Sequence, residues 1–279
     1  MDKSIICKNI SKSFDNNIVL KDINLTINKG EFVVIGGENA SGKSTLMKIL
    51  IGLLIPNKGS VNVLGLDTTK YWKKISTRIG VVLNNERTLY WKLTAEENLD
   101  VFGKIYGVKN KVLKERIKYL LKQVGLENQD KKLVENYSTG MKRKLMLCKA
   151  LIHDPEIIFA DEILNGLDPQ ACLEIMTILH ELNQRGKTIV LISHILHTLP
   201  DDSRIVLMKK GSIILDKPLK SLDVEKMINI KYSLNGVKYE KKVSEKDFKE
   251  SILKIIDLQA EDIKIENENI YDTTRRKLS

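Results

Sequence analysis

Gly37-Glu38-Asn39-Ala40-Ser41-Gly42-Lys43-Ser44 combines residue types at a spacing that suits the capture of a triphosphate. The run fits the pattern G-x-x-x-x-G-K-[ST], with Thr45 next in line. Its glycines let the backbone curl until successive N–H groups point at phosphate oxygens, and a helix starting near Gly42 adds its positive dipole end. Lys43 then reaches the β- and γ-phosphates, and the Ser44 hydroxyl is placed to hold Mg²⁺. The competing reading is a glycine-rich turn that binds nothing. A second candidate is the acid pair Asp161-Glu162 at the end of the apolar run Ile157 to Ala160. There Asp161 can hold Mg²⁺, directly or through water, and Glu162 can polarise a water for attack on the γ-phosphate. Taken alone, the same pair also fits two acids that merely mark where a buried strand reaches solvent.

Such chemistry needs strands that deliver loops to one edge. Glu31 to Ile35 is a short, β-branched apolar run that enters Gly36-Gly37, as a buried strand does before a tight loop. Lys43 to Leu54 has helical composition and stops before the turn cluster Pro56-Asn57-Lys58-Gly59. Ile23 to Ile27 alternates apolar and polar, which predicts a half-buried antiparallel strand. Ile79 to Leu83, Ile157 to Ala160, Thr188 to Ile192 and Ile205 to Met208 are further strand-like runs, separated by helical stretches or turns. The sum is an α/β fold with a mainly parallel sheet covered by helices, and open sheets of that kind bind ligands at the carboxyl edge. Thr94 to Val124 reads as helix alone, opened by Thr94 and Glu97 at capping-box spacing. From about Lys217 charge becomes dense; Ile228 to Glu240 and Ile263 to Ile270 look like strands around a helix from Ser244 to Leu258.

Composition bounds the partners. The chain has 279 residues, 42% apolar and 29% charged, enough for one large domain and a small appendage. The net charge of +10 suits nucleotide, nucleic acid or an anionic membrane surface, yet the lysines are scattered among acids without interleaved aromatics. No nucleic-acid partner is therefore expected. No run is long and apolar enough to span a bilayer, and the first residues lack a signal-peptide core, so the chain reads as cytosolic. Cys7, Cys148 and Cys172 have no metal-ligand spacing and read as free thiols in a reducing compartment. His153, His180 and His197 read as ordinary surface or helix-end histidines. Tyr71, Trp72, Tyr90 and Trp91 suit either a partner surface or core packing.

Further runs carry a family resemblance. Tyr137-Ser138-Thr139-Gly140-Met141 resembles the signature of ABC transporter ATP-binding subunits, in the form found in many bacterial exporters. Asn165-Gly166-Leu167-Asp168-Pro169 resembles their D-loop, and Ile192-Ser193-His194 their switch-histidine segment. The resemblance implies a nucleotide-binding domain over 1–216, with an antiparallel β subdomain and a helical subdomain at about 88–153, followed by a small α+β extension at 217–279. It implies ATP and Mg²⁺ as ligands, a second ATPase subunit and an integral-membrane permease as partners, and a peripheral place on the cytoplasmic face of the membrane. Within that scheme Phe14 stacks on adenine, Gly37 to Thr45 hold the phosphates, and Ser44, Asn84 and Asp161 serve the metal. Glu162 and His194 orient the water, Ser138 and Gly140 grip the γ-phosphate of the opposite subunit, and Asp168 links the two sites. An ordinary core aromatic near a strand end is the other reading of Phe14.

Three departures accompany the resemblance. Asn84 stands where a glutamine is usual, its carboxamide one methylene shorter; Ile163-Leu164 stands where Pro-Thr is usual; and Thr139 and Met141 depart from L-S-G-G-Q. None removes Lys43, Ser44, Asp161, Glu162 or His194, so an active ATPase is expected, with export preferred to import. The alternatives are a soluble ATPase of the same type driving a non-transport process such as iron–sulfur cluster assembly, and a nucleotide sensor without turnover.

Overall fold

A computed structural model describes residues 2–15, 17–83, 88–129, 132–193, 199–222, 227–234, 236–258 and 260–267. The described residues divide into two compact units, one of 2–193 with 199–219 and one of 220–267.

The first unit opens with β1 (Lys3–Phe14), β2 (Asn17–Asn28), β3 (Phe32–Gly37) and α1 (Lys43–Leu50). It continues through β4 (Lys58–Val63), β5 (Leu66–Asp67), α2 (Trp72–Ser76) and β6 (Ile79–Val82), then α3 (Ala95–Ile105), α4 (Asn110–Gln123) and α5 (Thr139–Leu151). It closes with β7 (Ile157–Asp161), α6 (Pro169–Gln184), β8 (Thr188–Ile192), β9 (Arg204–Lys209) and β10 (Ser212–Pro218). One sheet has the order β2-β1-β4-β5 and is antiparallel throughout. Ile23, Leu25 and Ile27 of β2 are buried at every second position, as their alternation predicts. The other sheet has the order β10-β9-β3-β8-β7-β6 and is parallel except for the edge strand β10.

All residues of β3 are buried, because both faces of this strand are covered. Helix α1 ends earlier than its composition suggests. The N–H groups of Gly52, Leu53 and Leu54 turn back onto the carbonyls of Ile49 and Lys48 and close the helix at Leu50. Trp72 packs against the core of this unit, whereas Tyr71, Tyr90 and Trp91 are exposed, which divides the four aromatics.

The helical region begins as the sequence predicts. Thr94 caps α3, accepting from the Glu97 N–H at 3.2 Å, while the Glu97 carboxylate accepts from the Thr94 N–H at 2.8 Å. Buried Asn98 exchanges hydrogen bonds with the Tyr90 backbone and donates to the Thr94 carbonyl, fixing the approach to the helix. His153 is packed rather than a plain surface residue. Its ring stacks on Tyr106 with centroids 3.8 Å apart and meets the Ile79 carbonyl at 2.9 Å, and burial pushes its pKa down.

The second unit holds β11 (Met227–Leu234), β12 (Val237–Ser244), α7 (Glu245–Asp257) and β13 (Glu261–Asn267). Its antiparallel sheet has the order β12-β11-β13, and Ile230, Val243 and Ile255 form a small core with Tyr232, Phe248 and Ile252. The run from Ile228 is thus a hairpin rather than one strand, with Leu234 paired to Val237 across the turn. Among the described residues no helix is long and apolar enough to cross a membrane.

Candidate nucleotide site

Strands β3, β8 and β7 are neighbours and parallel, so their carboxyl ends open on the same edge. The loop after β3 therefore meets the acids that end β7. The loop is tightly shaped: a Cβ on Gly37 would lie 2.3 Å from the Met208 carbonyl oxygen, and one on Gly42 would lie 2.7 Å from a Leu20 methyl and 2.9 Å from the Val19 oxygen. Gly37 and Gly42 also have φ values of 144° and 102°, which side chains other than hydrogen rarely tolerate. Glycine at both positions follows from the chain's own geometry. Ala40 adds a further positive φ of 61°, and Glu38, Asn39 and Ala40 stand exposed at the loop tip. Gly42 caps α1 without any side chain, so the first N–H groups of that helix are open to an anion.

Lys43 is buried, and its Nζ donates to the carbonyls of Gly37 at 2.9 Å and Glu38 at 2.8 Å, which spans the loop from within. Burial pushes its pKa down; the carboxylates of Glu162 and Asp161 push it back up. Asp161 answers in kind. Burial raises its pKa and Glu162 adds to the rise, while a hydrogen bond from the Ser44 hydroxyl and the charges of Lys43 and Lys48 oppose it. Asp161 Oδ1 and Ser41 Oγ are buried without a hydrogen-bond partner. Glu162 follows with φ 51°, its N–H donating to the Ile192 carbonyl at 3.0 Å, and Asn165 Nδ2 donates to Glu162 Oε2 at 3.0 Å. Nothing in the sequence marks Asn165 for this contact beyond its place three residues after Glu162.

A second group forms where two helices start. Ser138 caps α5, its Oγ accepting from the Met141 N–H at 3.3 Å, and Asp168 caps α6, accepting from the Ala171 N–H at 2.9 Å. Gly140 lies beside this cap: a Cβ added there would meet Ala171 Cβ at an ordinary 3.6 Å. Phe14 ends β1 with 46% of its surface exposed, which rules out the core-aromatic reading. Thr45 is half-buried in the first turn of α1. Asn84 and His194 lie outside the described residues.

A buried lysine across a glycine loop, a hydrogen-bonded serine and aspartate, and an adjacent glutamate thus gather at the edge of a parallel sheet where ligands bind in folds of this class. The family model described as ABC transporter matches residues 20–165. The chain belongs to the ABC transporter family. As an ATP-binding subunit of that family, it binds and hydrolyses ATP to energise transport. The ABC transporter ATP-binding protein NatA of Bacillus subtilis (strain 168) is 38% identical over 205 residues, 73% of this chain and 83% of that protein. The Nod factor export ATP-binding protein I of Sinorhizobium fredii (strain NBRC 101917 / NGR234) is 39% identical over 193 residues, 69% of this chain, which spans 56% of that protein's length. Among solved structures, the dimeric post-hydrolysis state of the ATP-binding cassette MJ0796 bound to ADP and Pi matches with a TM-score of 0.71 at 29% identity. That match covers 78% of this chain and 100% of the other. ABC subunits of this kind pair as dimers and act with membrane permeases.

Proposed function

We propose that this ABC subunit drives export, through a separate permease, from the cytoplasmic face of a membrane. Two subunits close head to tail around two ATP molecules, residues 1–216 form the ATP-binding domain, and 217–279 are an accessory piece. The observation that carries the chemical part is the convergence of Lys43, Ser44, Asp161 and Glu162 at one sheet edge. Export is favoured by similarity to a protein named for Nod factor export and by the Tyr137 to Met141 signature.

In this reading the N–H groups from Glu38 to Thr45 receive the phosphate oxygens, and Lys43 exchanges its two carbonyl partners for the β- and γ-phosphates. Glu162, aimed by Asn165, holds the attacking water and accepts its proton. His194 assists that water, and Phe14 stacks on the adenine. The Ser138 hydroxyl and the N-terminal N–H groups of α5 take the γ-phosphate held by the opposite subunit, with Gly140 leaving room for it and Asp168 at the seam.

The residues fit Mg²⁺. A buried Asp161 oxygen without a partner and the Ser44 hydroxyl beside it are hard oxygen donors, and Asn84 would join them. Held by Ser44, Asp161 and Asn84, Mg²⁺ would supply positive charge against the phosphates.

The test is transport. The subunit co-purified with its permease should move cargo out of cells or into inverted vesicles only with ATP. Cargo movement into the cytoplasm, or a subunit that never co-purifies with a membrane protein, would overturn the proposal.

A further inference from the structure

The phosphate end of the site is shaped by backbone, but the base end depends on one exposed ring. Phe14 is the last residue of β1. Side chains two apart on a strand share a face, which brings Lys12 to Phe14. Lys12 Nζ lies 5.2 Å from the Phe14 ring centroid, within the range of a cation–π contact. The same Nζ donates to the Ile55 carbonyl at 2.9 Å, so the ammonium is located by backbone and not by the ring alone. The Ile55 turn also grips the strand itself. Ser13 N–H donates to Asn57 Oδ1 at 2.8 Å, Asn57 N–H donates to the Ser11 carbonyl at 2.9 Å, and Ser11 pairs with Lys58 of β4. Gly59 closes this clamp against the Lys8 and Asn9 carbonyls, where a Cβ would come within 2.3 Å and 2.5 Å.

We propose that Lys12 is a positioning residue for the adenine platform, acting through Phe14; this rests on the reading of Phe14 as the ring that stacks on the base. The anchored ammonium takes one face of the ring and restricts its rotation, so the base stacks on the other face. Its charge also draws π density toward itself, which lowers the repulsion between the ring face and the electron-rich adenine. Lys12 thereby contributes to recognition of the base and not of the phosphates.

The experiment compares two probes on the purified full-length chain with Mg²⁺: a non-hydrolysable ATP analogue and inorganic tripolyphosphate, each titrated calorimetrically. Lys12→Met should weaken the analogue by about threefold, the size of an exposed cation–π contact. It should leave tripolyphosphate binding unchanged, and Lys12→Arg should restore the analogue. Phe14→Ala should weaken the analogue by about tenfold or more, as loss of an aromatic–base stack does. In the Phe14→Ala background, Lys12→Met should add nothing. Wild-type analogue affinity in Lys12→Met, equal losses for both probes, or an undiminished Lys12 effect without the ring would each overturn the proposal. If Phe14→Ala leaves analogue binding intact, the adenine reading of Phe14 fails and takes the Lys12 proposal with it, whereas the phosphate-loop reading stands. Thermal melts of each variant separate lost binding from lost folding.

Discussion

The glycines of the phosphate loop and the glycine of the signature helix obey different masters. Gly37 and Gly42 sit at positive φ, and a methyl on either would strike Met208, Leu20 or Val19 of the same chain. Gly140 has no such constraint; a methyl there meets one Ala171 carbon at van der Waals distance. The first two are explained by one chain, so the cradle is shaped on folding. The absence of a side chain at Gly140 has no cause within the chain, which fits a surface kept small for something that approaches from outside it.

The widest-reaching way to sharpen this contrast is Glu162→Gln. Phosphate release by the assembled complex should fall by about two to four orders of magnitude, the usual contribution of a positioned general base. Nucleotide binding should persist, and with the chemistry stopped an ATP-dependent dimer should accumulate in size-exclusion chromatography. Turnover near wild type would remove Glu162 from its assigned role.

The contrast itself is tested by paired substitutions. Gly37→Ala should cost about 2–3 kcal/mol in urea unfolding and abolish nucleotide binding, because its methyl would press on the Met208 backbone carbonyl at 2.3 Å as well as on Ser41 Oγ at 2.8 Å. Gly140→Ala should keep or raise stability, by up to about 1 kcal/mol, since alanine is the better helix former. Its ATPase activity should nevertheless fall at least about tenfold, as a group that keeps a donor from the transition-state charge does. Unaltered turnover in Gly140→Ala would break the comparison.

A smaller effect separates stability from chemistry at Asp161. Its folded pKa lies above the ordinary aspartate value through burial and the nearby Glu162, so the ionised side chain burdens the fold at neutral pH. The sign follows: the burden is absent below the unfolded value and develops as pH rises through the raised one. Asp161→Asn should melt above wild type at pH 7.5, and its advantage should shrink as pH falls through the raised value toward the unfolded one. An advantage independent of pH would show that ionisation is not its source. The smallest effect concerns the caps. Ser138→Ala and Asp168→Ala should each lower unfolding free energy by about 1 kcal/mol, and Asp168→Ser should recover most of its loss. A larger fall in turnover than in stability for Ser138→Ala would support the signature reading.

Much of this was legible from residue types. The Lys43 loop, the capping box at Thr94 and the alternation of Ile23, Leu25 and Ile27 are local patterns, and each depends on neighbours a few residues away. The early end of α1 was not legible, because Lys48 and Ile49 carbonyls recapture later N–H groups by a turn geometry that composition does not encode. The packing of His153 is hidden from the sequence for a similar reason: its partners Tyr106 and Ile79 are distant along the chain. Phe14 was ambiguous as a sequence position, since an aromatic near a strand end can turn inward or outward, and only its exposure decides.

The sequence alone determined which groups are present for the chemistry: a lysine and hydroxyl after a glycine loop, two acids at a strand end, and a serine-glycine helix start. Their order and spacing also carried the family resemblance. Only the tertiary structure decided that Asp161 and Glu162 act on the electrostatics of Lys43, because parallel pairing of β3, β8 and β7 brings residues more than a hundred positions apart to one edge. It likewise decided that Gly37 is irreplaceable through Met208 and that Gly140 is not constrained from within. Local patterns record the propensities of short segments, whereas charge and close contact depend on distance in space.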